Sequence, residues 1–300
     1  MSSRKTGRLM KIMMADDGSE HATAAAQMLC DLPLPSHYEI TVVRVFTPRQ
    51  TDIVFGLESS LKQTVNIFEK KDYTVKSELV LGYPEEKIIE VADQVNPNLI
   101  VLGAIGLRAT LGILLGGVAQ QVIEYANWPV LVVRAPYKKL KHILLVTDGS
   151  EHSQRAVKYL AEFPLPSNVE VRIMHVMPPL PSPAIYSPIA SFGNVAVPPM
   201  VDAEMMNKIQ KQASQEEEQG KALLTRTAQR LRQRGIKVRT ILSRGDSATE
   251  IISYAKKHHV DLVVAGSRGL SSVKSWLLGS VSRKLVHYAP CSVLIVKGNP

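Results

Sequence analysis

The residues of this 300-residue chain best suited to chemistry are glycines and serines that recur at one spacing. Gly266-Ser267-Arg268-Gly269 follows the apolar run Leu262–Ala265, and Gly279-Ser280 comes after nine more residues. Gly103-Ala104-Ile105-Gly106 and Gly116-Gly117 repeat the pattern earlier in the chain. Glycine past a strand tolerates φ > 0 and lets backbone N–H groups come close to a phosphate. A helix starting near Gly279 would add its positive dipole end and its unpaired N–H groups. Ser280 adds a hydroxyl donor, and Arg268 or Lys274 adds charge. A single glycine pair at a strand-to-helix joint is usually an ordinary turn. The recurrence, the strand context and Ser280 favour an anion or nucleotide site in the second copy.

Asp17-Gly18 and Asp148-Gly149 each follow an apolar run. In open α/β sheets, ligands bind beyond the carboxyl ends of strands where the strand order reverses. An aspartate there can accept from ribose hydroxyls or a base amino group. Asp-Gly-Ser before an Ala-rich segment also reads as a helix N-cap. The residues alone leave both roles open.

The elements behind these residues come from a duplication. Lys11-Ile-Met-Met-Ala-Asp-Asp-Gly-Ser-Glu-His21 returns as His142-Ile-Leu-Leu-Val-Thr-Asp-Gly-Ser-Glu-His152, an offset of 131. From Asn98–Gly103 against Asp261–Gly266 the offset is 163, so the second copy carries a 32-residue insertion. A period this long means duplicated domains, not a solenoid. The spacing predicts strands at Leu9–Ala15, Tyr38–Phe46, Thr74–Leu81, Leu99–Gly103 and Pro129–Arg134. Helices fall between them, up to about Cys30, near Leu57–Lys71, after Gly82-Tyr83-Pro84 and after the Gly-rich stretch. Alternating strands and helices imply an open parallel sheet per copy. The expected domains are 1–136 and 137–300, with the insertion at 178–210. Its first part, Pro178–Pro199, holds seven of the eighteen prolines and reads as an extended, mobile loop. Val201–Arg234 is rich in helix formers, with a break or kink allowed at Gly220.

Composition narrows the class. Hydrophobic residues make up 45% and charged residues 21%, ordinary for a soluble globular chain. Cys30 and Cys291 lie far apart with no metal or redox spacing, so the expected setting is reducing and cytoplasmic. Residues 1–137 hold 13 Lys/Arg against 15 Asp/Glu, a net of −2, and residues 138–300 hold 23 against 12, a net of +11. The excess concentrates in Lys221–Arg239, where a solvated helix face is the plain reading and an anionic partner the sharper one. Leu99–Ala119 approaches membrane-span length. Its counterpart Leu262–Ser282 carries Arg268, Lys274 and five serines ahead of Ser282, which argues against a span in either copy. There is no P-loop, nucleophile elbow or dinucleotide fingerprint, and His142, His152, His258 and His259 lack a third metal ligand. No catalytic set or metal site is expected.

The glycine pattern, G-x2-G-x9-G-[S/T], complete in Gly266, Gly269, Gly279 and Ser280, resembles that of the universal stress protein family, and the likeness spans both halves. It implies an α/β, Rossmann-like fold of two tandem five-stranded parallel open sheets, order 3-2-1-4-5, with helices on both faces. The implied ligand is ATP, alone or with Mg²⁺, with at most slow hydrolysis. By position, Asp148 would contact the nucleoside and the Val176 backbone the adenine. Gly266, Gly269, Gly279, Ser280, Val281 and Ser282 would line ribose and phosphates, beside Arg268. In the first copy Gly117 replaces the hydroxyl residue, Ala119 stands opposite Ser282, and Ala104-Ile105 replaces Ser267-Arg268. Asp17, Val45, Gly103, Gly106 and Gly116 remain there as the corresponding candidates. The resemblance further implies an internal pseudo-dimer through the last strands, Val130–Val133 beside Val293–Val296, with further homodimerisation open. A competing function is a nucleotide-free scaffold that docks a protein or nucleic acid through its basic second half, with Leu111–Leu115 as an interface.

Overall fold

A computed structural model describes residues 9–48, 54–107, 114–180, 203–270 and 278–298. The first half runs β1 (Met10–Ala15), α1 (Glu20–Cys30), β2 (Tyr38–Phe46), α2 (Val54–Glu69), β3 (Val75–Leu81), α3 (Pro84–Val95), β4 (Leu99–Gly103), α4 (Gly117–Tyr125) and β5 (Val130–Val133). The second half runs β6 (His142–Val146), α5 (Glu151–Glu162), β7 (Glu170–Met177), α6 (Ala203–Arg232), β8 (Val238–Arg244), α7 (Ser247–Lys257), β9 (Leu262–Gly266), α8 (Ser280–Tyr288) and β10 (Ser292–Val296). The central strands are short β-branched and leucine runs buried on both sides, as covered parallel strands must be. β4 ends at Gly103 and α4 starts at Gly117, so Leu99–Ala119 is not one continuous element; residues 108–113 lie outside the described residues. Among the described residues no helix is long and apolar enough to cross a membrane.

Each half has the expected order, 3-2-1-4-5, but the two sheets are joined. One ten-stranded sheet runs β3-β2-β1-β4-β5-β10-β9-β6-β7-β8. Every pairing is parallel except β5 with β10, where Leu131 lies opposite Leu294 and Val132 opposite Val293. The join removes an exposed edge from each half. Its flanks are reciprocal. Arg134, at the end of β5, donates to the carbonyls of Val286 and His287 at the end of α8, at 2.8 and 3.1 Å. Lys297, just past β10, donates to the Glu124 carbonyl near the end of α4, at 2.8 Å. Each half thus sends a cation to the negative end of a helix in the other. The apolar clusters on the two faces of the sheet both draw residues from each half.

The insertion enters between β7 and α6. Residues 181–202 lie outside the described residues, and with them most of the Pro178–Pro199 segment. α6 is one unbroken helix of 30 residues, so the break allowed at Gly220 does not occur. A Cβ there would stand 2.8 Å from Leu242 Cδ1 and 3.1 Å from His175 Cδ2. Gly220 lets the helix lie close on β7 and β8. The extra turns of α6 are held by Arg244, which donates to Glu216 at 2.6 Å, to the Ala213 carbonyl and to the Pro178 carbonyl. The basic stretch Lys221–Arg239 lies mainly on the outer face of α6 and the turn after it. Lys221, Arg234 and Arg239 there pair with Glu217, Glu162 and Glu170.

Candidate functional site

A cavity opens at the carboxyl ends of the strands in each half. The second-half cavity, about 220 Å³, gathers Asp148, Val176, Gly266, Arg268, Gly269, Gly279, Ser280, Val281 and Ser282, every residue singled out there except Lys274. The first-half cavity, about 390 Å³, gathers Asp17, Val45, Gly103, Gly106 and Gly116. Lys274 and residues 111–113 of the Leu111–Leu115 stretch lie outside the described residues. Of the two described residues of that stretch, Leu115 is packed in the core and Leu114 is half exposed.

Local geometry assigns the Asp-Gly-Ser triplets. Ser19 and Ser150 are the N-caps of α1 and α5, accepting from the Ala22 and Ser153 amides at 3.1 and 3.2 Å. The aspartates are not caps. Asp17 Oδ1 and Asp148 Oδ1 accept from the Ser19 and Ser150 amides at 3.0 Å, across Gly18 and Gly149 at φ of 78° and 81°. Left-handed backbone makes glycine the fitting residue at those two positions. Asp17 Oδ2 also accepts from the Leu107 amide, which ties the turn to the loop after β4.

The loop glycines serve another purpose. None of Gly266, Gly269, Gly279, Gly103, Gly106 and Gly116 has positive φ, so they are not there for left-handed turns. All but Gly116, where a Cβ would make only ordinary contacts from 3.5 Å, are there for space. A Cβ on Gly269 would stand 2.6 Å from Asp148 Oδ2, and one on Gly106 would stand 2.6 Å from Asp17 Oδ2. A Cβ on Gly266 would meet the His152 backbone at 2.6 Å. Close approach brings each loop against the opposing aspartate.

α4 and α8 start without a side-chain cap, at Gly116 and Gly279, whereas Ser and Asp caps close α1, α5 and α7. The first-turn N–H groups of a helix have no acceptor within it. At α8 they belong to Ser280, Val281 and Ser282, beside the cavity. Backbone groups of Val176 complete the rim. The Met174 carbonyl accepts from Thr147 toward β6, and the Met177 carbonyl accepts from Gly245 toward β8. Alternation turns Val176 toward β6, which has already ended at Val146. The same holds for Val45 beside the end of β1.

Two side chains behave otherwise than the motif alone conveys. The Ser282 hydroxyl is buried and donates to the Gly266 carbonyl at 2.8 Å, which braces α8 on β9. His152 lies near the loop, its Nδ1 3.3 Å from Ser267 Oγ. Burial lowers its pKa, and the Arg268 and Arg155 charges lower it further.

The motif also missed a pair of residues under each cavity. In the second half Thr147 and His175 meet, His175 Nδ1 lying 2.9 Å from the Thr147 carbonyl. In the first half the same positions hold Asp16 and Arg44, a buried ion pair. Arg44 also donates to the Leu57 carbonyl at 3.0 Å, while its Nε has no partner. Burial pushes the Asp16 carboxyl above the usual aspartate value, against the pull of Arg44. The exchange was visible in the repeat at offset 131, where Asp16 faces Thr147 and Arg44 faces His175. Among the described residues no group of His, Cys, Asp and Glu forms a metal cluster.

The model of the universal stress protein family matches residues 9–134 and again 139–297. The chain belongs to the universal stress protein family. Its similar relatives include universal stress protein YxiE of Bacillus subtilis, 32% identical over 155 residues, 52% of this chain and 97% of that one. Universal stress protein MJ0531 of Methanocaldococcus jannaschii is 28% identical over 166 residues, 55% of this chain and 87% of that one. A universal stress protein from Archaeoglobus fulgidus shares the fold over 96% of both chains, with a TM-score of 0.65 and 19% identity. The chain is a tandem member of this stress-response family, with two copies of the family unit.

Proposed function

We propose that the second half of this universal stress protein holds an adenine nucleotide, and that the protein is a nucleotide-dependent stress-signalling factor of the cytoplasm. The observation that carries this reading is the uncapped start of α8, which turns three N–H groups and Ser280 toward a cavity that also holds Asp148 and Arg268. Uncapped N–H groups at a helix start favour phosphate. The residues present fit ATP, alone or with Mg²⁺. Gly279 and Gly269 keep the loop close to the strand ends, Ser280 and Arg268 would take phosphate oxygens, and Asp148 and the Val176 backbone would take sugar and base. In this reading the bound nucleotide acts as a signal, with at most slow hydrolysis. The domains are taken as 1–136 and 137–300, paired as an internal pseudo-dimer.

Mass spectrometry of ligand released from purified, undialysed protein tests the identity of the nucleotide. Titration of three variants tests its place. Ser280→Ala should weaken ATP binding by about 1–3 kcal/mol, the range for a hydrogen bond to a charged acceptor. Gly279→Val should weaken it more, because a Cβ there already stands 3.1 Å from Arg268 Cα. Gly116→Val should leave ATP affinity nearly unchanged. Two equal ATP sites, or normal binding by Gly279→Val, would defeat the assignment. Absence of nucleotide with a salt-sensitive bound nucleic acid would favour the scaffold instead.

A further inference from the structure

We infer that the second half carries a docking face for the phosphate backbone of nucleic acid, at the amino ends of β6, β7 and β8. This is the opposite end of the strands from the second-half cavity. Parallel pairing of β6, β7 and β8 brings the end of α6, the turn into β8 and the end of α7 to the same side. Arg232, Arg234, Lys237 and Arg239 stand at the α6–β8 turn, and Lys256 and Lys257 close α7; all six are exposed. The carboxylates near them are already engaged. Glu170 lies between Arg172 and Arg239, at 3.3 and 3.1 Å, and Glu162 is 4.0 Å from Arg234. Asp261 accepts from the Lys141 and His142 amides at 2.9 and 2.8 Å. Among the described residues no carboxylate pairs with Arg232, Lys237 or either lysine of α7.

The duplication shows that the fold does not need this charge. Where the second half has Arg232, Lys237, Lys256 and Lys257, the first has Glu69, Thr74, Asp93 and Gln94. Arg172 of β7 stands where β2 has Thr41. All five exchanges raise the charge of one face. A cation in the last turn of a helix is favoured by the helix dipole. Yet α2 and α3 have no basic residue in their last turns, and Arg172 and Lys237 lie off the helices altogether. Helix closure therefore leaves the pattern unexplained.

Charge is also what selects the partner. No exposed large apolar side chain of the described residues lies on β6, β7 or β8 or at the ends of α6 and α7. A protein interface has an apolar centre from which charged residues are depleted. A bilayer holds a polybasic patch stably only with an acyl or apolar anchor beside it. A nucleic-acid backbone needs neither, because release of its condensed counterions drives binding by itself. Arg232, Arg234 and Arg239 add planar guanidinium donors suited to phosphate oxygens. Phosphate contacts carry no sequence information, so the docking is independent of sequence.

The inference does not rest on a nucleotide in either cavity, and its test omits nucleotide. Full-length protein is titrated with a short, labelled, mixed-sequence DNA duplex. Affinity should fall about a hundredfold between about 50 and 200 mM salt, the loss expected for about four phosphate contacts. Lys237→Thr, Lys256→Asp and Lys257→Gln together give this face the first-half residues. That variant should bind at least about tenfold more weakly, with a salt slope shallower by about 2–3. Lys62→Thr, Lys208→Asp and Lys211→Gln make the same charge change at exposed sites elsewhere. At about 0.1 M salt they should weaken binding less than about threefold, because charges beyond a Debye length are screened. Hydrogen exchange of the wild-type complex should show protection at 232–239 and 255–260, and this footprint decides alone if the first variant loses its near-UV signal. No binding at low salt, or equal losses in the two variants, would overturn the inference. So would protection at 279–282 instead, which puts the DNA at the cavity. Tighter binding to phosphatidylserine vesicles or to polyglutamate than to DNA would overturn it in favour of a membrane or an acidic protein.

Discussion

The two cavities share a frame and differ in chemistry. The smaller one keeps Ser280, Ser282 and Arg268 at an uncapped helix, and the larger one has Gly117, Ala119 and Ile105 at an equally uncapped helix. Beneath the smaller, second-half cavity lie Thr147 and His175, joined by one hydrogen bond. Beneath the larger, first-half cavity lie Asp16 and Arg44, joined as buried ions. Duplication therefore kept the backbone features, such as the Asp-Gly turn, the close glycines and the open strand end. What changed are the side chains that set charge and volume. A backbone frame is tied to the packing of the whole sheet, whereas a lining side chain can change with little effect on the fold.

The ion pair is the place where that difference is most costly to disturb. Arg44→Ala would leave Asp16 buried without its counter-charge, and removing one member of such a pair costs about 3–5 kcal/mol. His175→Ala should cost much less, since no buried charge is left behind. The comparison sharpens when Asp16→Thr and Arg44→His are combined, which imports the second-half pair. That double variant should be more stable than Arg44→Ala by at least about 1 kcal/mol, because no ion remains to be compensated. Urea unfolding of the full chain measures all four. Equal losses in Arg44→Ala and His175→Ala would mean that the Asp16 carboxyl is neutral in the folded protein.

The same contrast marks what the sequence conveyed. The repeat, the strands and the glycines were legible, because apolar runs and glycine spacing record backbone requirements directly, whereas the strand order and residues such as Val176 came with the family resemblance. β2 begins at Tyr38 and ends at Phe46, and α8 begins after Gly279, as read. Three features were not legible. The loop glycines were read as allowing positive φ and close approach to a phosphate; none has positive φ, and at Gly106 and Gly269 the close approach is to Asp17 and Asp148, which arrive from another strand. The unbroken passage of α6 through Gly220 depends on His175 and Leu242, which are distant in sequence. Ser282 was assigned to phosphates by position, while its hydroxyl is held by the Gly266 carbonyl. Each was a tertiary contact, invisible to local pattern.

A second break between the halves lies at their join. Arg134 and Lys297 occupy equivalent positions and cap opposite helices, but lysine can lose its proton. Burial brings Lys297 down to about 8, with the Arg268 charge adding to the effect. The folded value lies below the unfolded value near 10.5, so the unfolded chain holds this proton to higher pH. Stability from this group therefore rises with pH between about 8 and 10.5 and is flat below 8. Buried cysteine and tyrosine groups titrate in the same region with the opposite sign, so the difference between proteins is the useful quantity. From pH 7.5 to 9.5, wild type should gain about 1–2 kcal/mol relative to Lys297→Met. A pH-independent gap would mean that Lys297 stays charged and solvated at the join.

The smallest expected effect separates bracing from binding. Ser282 and Ala119 are equivalent, and in the second half alone a hydroxyl ties the start of a helix to the end of its neighbouring strand. Ser282→Ala removes one buried hydrogen bond, which should lower stability by about 0.5–1.5 kcal/mol. The Gly266 carbonyl left behind raises the loss toward the upper end, because a buried acceptor without its partner retains its desolvation cost. Ala119→Ser offers the Gly103 carbonyl the same partner in the first half. It should raise stability by no more than about 1 kcal/mol, since that site is packed without the hydroxyl and must order it. ATP affinity should change less than twofold in both variants, because the Ser282 hydroxyl already faces the Gly266 carbonyl and the backbone N–H at 282 is kept. Urea midpoints measured beside ATP titrations read both quantities on the same preparations. A Ser282→Ala protein of unchanged stability and much weaker ATP binding would turn the hydroxyl toward the ligand, and with it the division between the brace at Ser282 and the phosphate contact at Ser280.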